Sequence, residues 1–149
     1  MNKIIIGCDP DSSKSGIAIF NSSELLTSLS CMSLIDIYKC FDAYAKTGDV
    51  ELHIENVNGI SSNAFSVKGR DALPVKLKKA EHVGKCKQAQ IEIERIAEYF
   101  NIKVVHHRVS KQWKKNKGMF EKVTGWNGRS NEDSRSAAYF GWLGLTLKA

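Results

Sequence analysis

The four cysteines of this 149-residue chain, Cys8, Cys31, Cys40 and Cys86, form no CxxC pair. That absence argues against a structural zinc site and against a secreted disulfide framework; reduced thiols in a cytosol fit such scattered spacing. Nowhere do about eighteen apolar residues follow one another, so no membrane-spanning helix is expected. The opening "MNKIIIGCDP" has too short an apolar run for a signal peptide. There is no internal repeat, no low-complexity linker and no basic amphipathic helix. A soluble, cytoplasmic protein with no membrane partner is the expectation.

What is present is a positive excess. The formal net charge is +6 and the sequence pI about 9.2, which suits a polyanionic partner, nucleic acid ahead of a membrane surface. The plainer reading is that a mild excess serves solubility. With 149 residues and 42% hydrophobic composition the chain can bury one ordinary core, so residues 1–149 are taken as one domain.

The apolar patterning predicts an α/β layer. "KIIIGCD" and "GIAIFN" read as a hairpin over residues 3–9 and 16–21, and "ELLTSLSCM" as a third strand. "SLIDIYKCFDAYAKTG" has a helical stripe closed by Gly48, and "VELHIENVN" is a fourth strand. Residues 61–79 dissolve into Ser, Asn, Gly, Pro and lysines and read as a long basic loop. Order returns as a helix over 80–100 and a fifth strand in "IKVVHHRV". A helix capped by Ser110 and stopped by Gly125 comes next, then a last helix over 131–147. Three meandering strands followed by crossover connections imply a mixed sheet.

Three acids stand where chemistry could be built. Asp9 ends an apolar strand, although a turn aspartate satisfying its own backbone explains it too, and Asp11 more easily still. Glu55 shares a strand face with His53 and Val57; glutamate is a poor strand former, and an exposed strand end is the alternative. Asp133 follows Ser130 in a capping-box pattern with a shortened acid, and a first-turn acid also suits the helix dipole. Three carboxylates about 5 Å apart, at an effective dielectric near 20, would repel by roughly 3 kcal/mol per pair, so they would gather only around cations. Mg²⁺ or Mn²⁺, as two ions about 4 Å apart, suits such hard oxygen donors and phosphodiester hydrolysis.

Basic residues cluster twice. One group holds Lys68, Arg70, Lys76, Lys78, Lys79, Lys85 and Lys87, the other Lys111, Lys114, Lys115, Lys117 and Lys122. Lysines neutralise phosphates without reading bases, so shape-directed, salt-dependent binding is expected. Trp113, inside the second cluster, could stack on a base or anchor the core; the core reading is the stronger.

In this order the segments resemble a known family. "IIIGCDPDSSKSGIAIF" is similar to the first hairpin of the ribonuclease H-like nucleases, and more narrowly of the RuvC kind of Holliday-junction resolvase. "HIENVNGISSNAFS" resembles the strand that carries that family's glutamate. "HVGKCKQAQIEIERIAEYFNIKVVHHRVSKQWKK" resembles its long helix, fifth strand and basic segment, and "NEDSRSAAYFGW" its final acidic helix. The resemblance implies a ribonuclease H-like fold with a five-stranded mixed sheet flanked by helices. It implies metal ligation by Asp9, Glu55 and Asp133, and symmetric cleavage of four-way junctions and other branched DNA by a homodimer. The apolar face of helix 80–100 is the candidate dimer face. The 61–79 loop would reach into the junction with Phe65 as a wedge, and Lys114 or Lys117 would steady developing phosphate charge.

The chain departs from the family at Ser136, where the last helix of a resolvase has an aspartate, and at Asp11, where glycine is usual. Three accounts of Ser136 stand: Asp133 does the work with Asp9 and Glu55, Glu132 contributes, or cleavage is impaired. An engineered inactivating substitution is a further account. A small resolvase of this type would suit a virus, phage or mobile element. The alternatives are a branched-DNA-binding protein that does not cut, a related nuclease acting on RNA, and a nucleotide-binding fragment of the actin and sugar-kinase type. The last would need a second phosphate loop and a longer chain.

Overall fold

The computed structural model describes residues 3–59, 72–108 and 112–146. Five strands, β1 (Lys3–Asp9), β2 (Ser15–Phe20), β3 (Leu26–Met32), β4 (Asp49–Glu55) and β5 (Lys103–His107), form one sheet in the order β3-β2-β1-β4-β5. The β1–β2 and β2–β3 pairs are antiparallel, and β1–β4 and β4–β5 are parallel. The mixed sheet read from the sequence is therefore present. β1 lies at its centre, which explains why Ile4, Ile5 and Ile6 run together: a strand covered on both faces needs no polar alternation.

Two layers of helix cover the sheet. On one face α1 (Leu34–Ala45) and α2 (Leu73–Tyr99) place Ile37, Phe41, Ile93 and Ala97 against Ile6, Cys8, Ile17, Ile19, Leu52 and Ile54. On the other, Ile5, Ala18 and Phe20 meet Ala137 and Ala138 of α4 (Glu132–Thr146), with Phe120 of α3 (Lys117–Thr124) and Trp113 behind them. Strand alternation decides the assignment: even-numbered residues of β1 face α1 and α2, and odd-numbered residues face α4. Glycine then sets how close α4 comes. A Cβ added at Gly7 would lie 1.9 Å from the Ala137 carbonyl oxygen, and one at Gly16 would lie 2.2 Å from that of Asp133.

The helix boundaries carry the corrections. α2 begins at Leu73 instead of residue 80, because Pro74 suits a first helical turn; Lys76, Lys78 and Lys79 are thus helical and not part of a loop. Phe65, Lys68 and Arg70, with the rest of 61–71, lie outside the described residues, as does Lys111. α3 begins at Lys117, where Asn116 is the cap and accepts from the Met119 N–H, while Ser110, read as the cap, lies outside the described residues; Gly125 at φ 71° ends it as expected. Trp113 precedes that helix and is 2% exposed, a core anchor as read. Ile93 and Ala97, assigned to a dimer face, are buried on the sheet, so the C-terminal half of that face is already covered.

Candidate active site

The centre is built by register. Cys8 pairs with Ile54 across the parallel β1–β4 ladder, so the next residues, Asp9 and Glu55, end their strands side by side at the neighbouring-strand spacing of about 5 Å. Both belong to the odd-numbered set that faces α4. Asp9 also pairs with Gly16 across the hairpin, and Gly16 touches the backbone of Asp133. α4 therefore crosses the sheet with its first turn against Gly16 of β2, the hairpin partner of Asp9, and its Gly144 end against His53 of β4. Asp9 is 3% exposed, while Glu55 and Asp133 are partly exposed, so the group opens to solvent on one side.

Cys8 reports on this clustering from the opposite face. Burial pushes its thiol well above the ordinary range, and the charges of Asp9, Glu55 and Glu94 push it further. Glu94 of α2 lies on that far side, hydrogen-bonded to His106 Nε2 at 2.7 Å, and is not a member of the α4-facing set.

The start of α4 differs from the capping pattern read in the sequence. Asn131 Oδ1 accepts from the Ser134 N–H at 2.8 Å, and Ser134 Oγ accepts from the Asn131 N–H at 2.9 Å. The reciprocal box is therefore Asn131–Ser134, not Ser130–Asp133. Asp133 is therefore not the capping-box partner of Ser130, and it remains a first-turn acid that suits the helix dipole. Glu132 points elsewhere: its Oε1 lies 2.6 Å from Lys115 Nζ, and that contact, more than any other, holds its carboxyl below the ordinary range.

Ser136, one turn after Asp133, is fully buried and its Oγ has no hydrogen-bond partner. An unmatched buried hydroxyl costs roughly 1–3 kcal/mol, and it sits on the element that carries Asp133. Asp9, Glu55 and Asp133 carry only hard carboxylate oxygens, the donor type that fits Mg²⁺ or Mn²⁺.

Sequence reasoning missed two supporting groups. Arg135 is 9% exposed, and its guanidinium donates to the carbonyls of Trp113 at 3.1 Å and Lys114 at 2.9 Å and to Ser130 Oγ at 3.1 Å. It thereby ties the segment bearing Lys114 and Lys115 to the helix bearing Asp133. Lys117 lies on α3 and pairs within it to Glu121 at 4.0 Å. The only sequence signal for Arg135 was a cation at the point where the last helix passes from its acidic start to its apolar run.

The second group is a polar line beneath α4. Lys3 Nζ contacts Glu51 Oε2 at 2.6 Å, Glu51 Oε1 contacts His53 Nε2 at 2.9 Å, and His53 Nδ1 lies 2.8 Å from His107 Nε2. Glu51 only accepts, so His53 carries its proton on Nε2 and its Nδ1 accepts from His107. His107 is the register partner of Glu55, so the line ends beside the carboxylates. Burial pulls the His53 imidazole below its ordinary value, against the pull of Glu51, and pulls His107 down to about 4, assisted by His53 and His106. The period-two run Glu51, His53, Glu55 was its visible trace in the sequence.

The chain after Glu55 is fixed as well. The Asn56 N–H donates to the His107 carbonyl at 2.9 Å, and Gln90, 2% exposed, accepts from the Asn58 N–H at 2.9 Å and donates to Asn56 Oδ1 at 3.1 Å. Lys76, Lys78, Lys79 and Lys85 line the solvent-facing first half of α2, where Lys85 pairs with Glu81 at 3.1 Å. Among the described residues no helix is long and apolar enough to cross a membrane.

No family model and no curated protein matches the sequence. Solved structures do. A Thermus thermophilus RuvC in complex with a Holliday junction substrate aligns with a TM-score of 0.58 at 10% identity, over 97% of this chain and 96% of that one. A second Thermus thermophilus RuvC structure aligns with a TM-score of 0.53 at 10% identity, over 95% and 96%. At that identity the likeness establishes the fold: a five-stranded mixed sheet with flanking helices of the RuvC, ribonuclease H-like type.

Proposed function

We propose that residues 1–149 form a single nuclease domain that cuts branched DNA, four-way junctions above all, by divalent-metal-dependent phosphodiester hydrolysis. The observation that carries this reading is the register that ends β1 and β4 with Asp9 beside Glu55, while Gly16, the hairpin partner of Asp9, lies against the backbone of Asp133. A fold matched over nearly its whole length to a RuvC bound to a junction supports the substrate class. Asp9, Glu55 and Asp133 would hold Mg²⁺ or Mn²⁺, which supplies activation of water and neutralises charge on the leaving oxygen. The sheet register would hold Asp9 beside Glu55, the hydrogen bonds of Asn56 and Asn58 to His107 and Gln90 would fix the chain that follows Glu55, and Arg135 would hold the segment bearing Lys114 against α4. Lys76, Lys78, Lys79 and Lys85 would take the DNA backbone, giving steep salt dependence. Two cuts across a two-fold junction call for a homodimer, whose isologous interface supplies the matching symmetry.

A second reading, binding without cleavage, is favoured by one observation: a serine hydroxyl with no partner stands where the resembled family has an aspartate. One assay decides between them. Wild type, Asp9→Asn, Asp133→Asn and Ser136→Asp are incubated with a labelled four-way junction and Mg²⁺. Paired nicks that vanish in Asp9→Asn and Asp133→Asn support the enzyme. Tight binding without nicks, converted to cleavage by Ser136→Asp, supports a binding protein with a weakened site. Normal cutting by Asp133→Asn would sink the assignment of α4, and preferential cutting of an RNA hairpin in the same assay would move the substrate to RNA.

A further inference from the structure

A second cluster of ligating atoms lies outside the carboxylate group. Cys86 Sγ lies 3.7 Å from Asp11 Oδ1 and 3.6 Å from His82 Nε2, and His82 Nε2 lies 3.8 Å from Asp11 Oδ1. The three atoms form a nearly equilateral triangle. His82 and Cys86 are four residues apart on α2, so they project from one face; Asp11 comes from the β1–β2 turn. Tetrahedral bonds to zinc of ordinary length would separate such sulfur, nitrogen and oxygen donors by about 3.3–3.6 Å, so the observed triangle needs only a few tenths of an ångström of contraction.

We propose that Asp11, His82 and Cys86 bind one Zn²⁺ ion that clamps the start of α2 to the β1–β2 turn. A thiolate and an imidazole favour zinc over Mg²⁺, which separates this site from the hard-oxygen group around Asp9. The charges balance: a thiolate and a carboxylate neutralise the dication. Formation of the Zn–S bond displaces the Cys86 thiol proton, which leaves to solvent, so one proton is released per ion bound. Asp11 Oδ1 also accepts from the Ser12 N–H at 2.7 Å, a contact that orients the carboxylate and leaves it further lone pairs. His82 is 61% exposed, so the triangle is open to solvent on its side.

The consequence concerns the lysine-bearing arm. Among the described residues α2 buries Ala89, Gln90, Ile93 and Ala97 and none before them. An ion joining residues 82 and 86 to residue 11 would fix that arm beside the end of β1. The absence of a CxxC pair excluded only a zinc site of that kind; here the ligands converge from two distant segments.

The test uses the full chain, stripped of metal and titrated with Co²⁺ and then Zn²⁺. Wild type should develop a thiolate-to-cobalt absorption band saturating at one equivalent and bleached by Zn²⁺. Cys86→Ser and His82→Ala should lose it; His82 is 61% exposed, so its removal leaves folding intact. Asp9→Asn should keep the band. Zn²⁺ should also slow amide exchange over residues 73–88 in wild type and not in Cys86→Ser. No thiolate band in wild type, a band that survives in Cys86→Ser or His82→Ala, or unchanged exchange in saturating Zn²⁺ would overturn the proposal.

Discussion

The two faces of the sheet are built from different materials. Under α1 and α2 the strands contribute Ile6, Cys8, Ile17, Ile19, Leu52 and Ile54, a sealed apolar layer in which large side chains interlock. Under α4 the same strands contribute Asp9, Glu51, His53 and Glu55, with Gly7 and Gly16 where the helix presses closest. A strand can serve both because its side chains alternate. One face supplies stability in bulk, and the other accepts buried polar groups because a chain of partners runs through them.

The comparison can be broken first at Asp9. Replacing it with Asn should lower junction cleavage at least ~10³-fold, about 4 kcal/mol of barrier, with binding retained in a gel-shift assay. Loss of binding in equal measure would mean that Asp9 is structural. Next is the helix contact: Gly7→Ala forces a methyl into the Ala137 carbonyl and should destabilise by roughly 3 kcal/mol in urea unfolding. Gly84→Ala, on the exposed start of α2 with nothing within 4 Å, should instead stabilise by up to ~1 kcal/mol.

A third test is pH. His107 is held down to about 4 against 6.5 unfolded, so between those values the unfolded chain binds more protons than the folded one. Stability should fall as pH drops through that window, by of the order of 2 kcal/mol, and His107→Gln should flatten that part of the profile. An unchanged profile would show that the histidine pair does not respond to acid. The smallest effect is at Ser136: Ser136→Ala removes an unpartnered hydroxyl and should raise stability by up to ~1 kcal/mol in thermal unfolding. A clear loss would mean that the hydroxyl has a partner in solution.

Much of this was legible in order and pattern. The β-branched run before Asp9, the alternation in "VELHIENVN" and the helical stripe at Ile37 and Phe41 announced their elements, because period two and period 3.6 are local properties. Helix ends were less legible. Ser130 and Asn131 are both good caps, and only the hydrogen bonds at Ser134 show that Asn131 is used. At α3 the cap in use is Asn116, so the helix starts at Lys117, later than the Ser-led segment suggested.

The sequence by itself determined most of the strand and helix content, the alternation along the strands, and the three acids. Each follows from residue type and spacing along a short stretch of chain. Tertiary structure decided that Asp9 and Glu55 end their strands together, that the backbone of Asp133 lies against Gly16, the hairpin partner of Asp9, and that Asp11 meets His82 and Cys86. Those contacts join segments tens of residues apart, and their geometry depends on how closely a helix can approach a sheet. At Gly7 and Gly16 that closeness is set by the absence of a side chain, and its consequence exists only when both surfaces are in place.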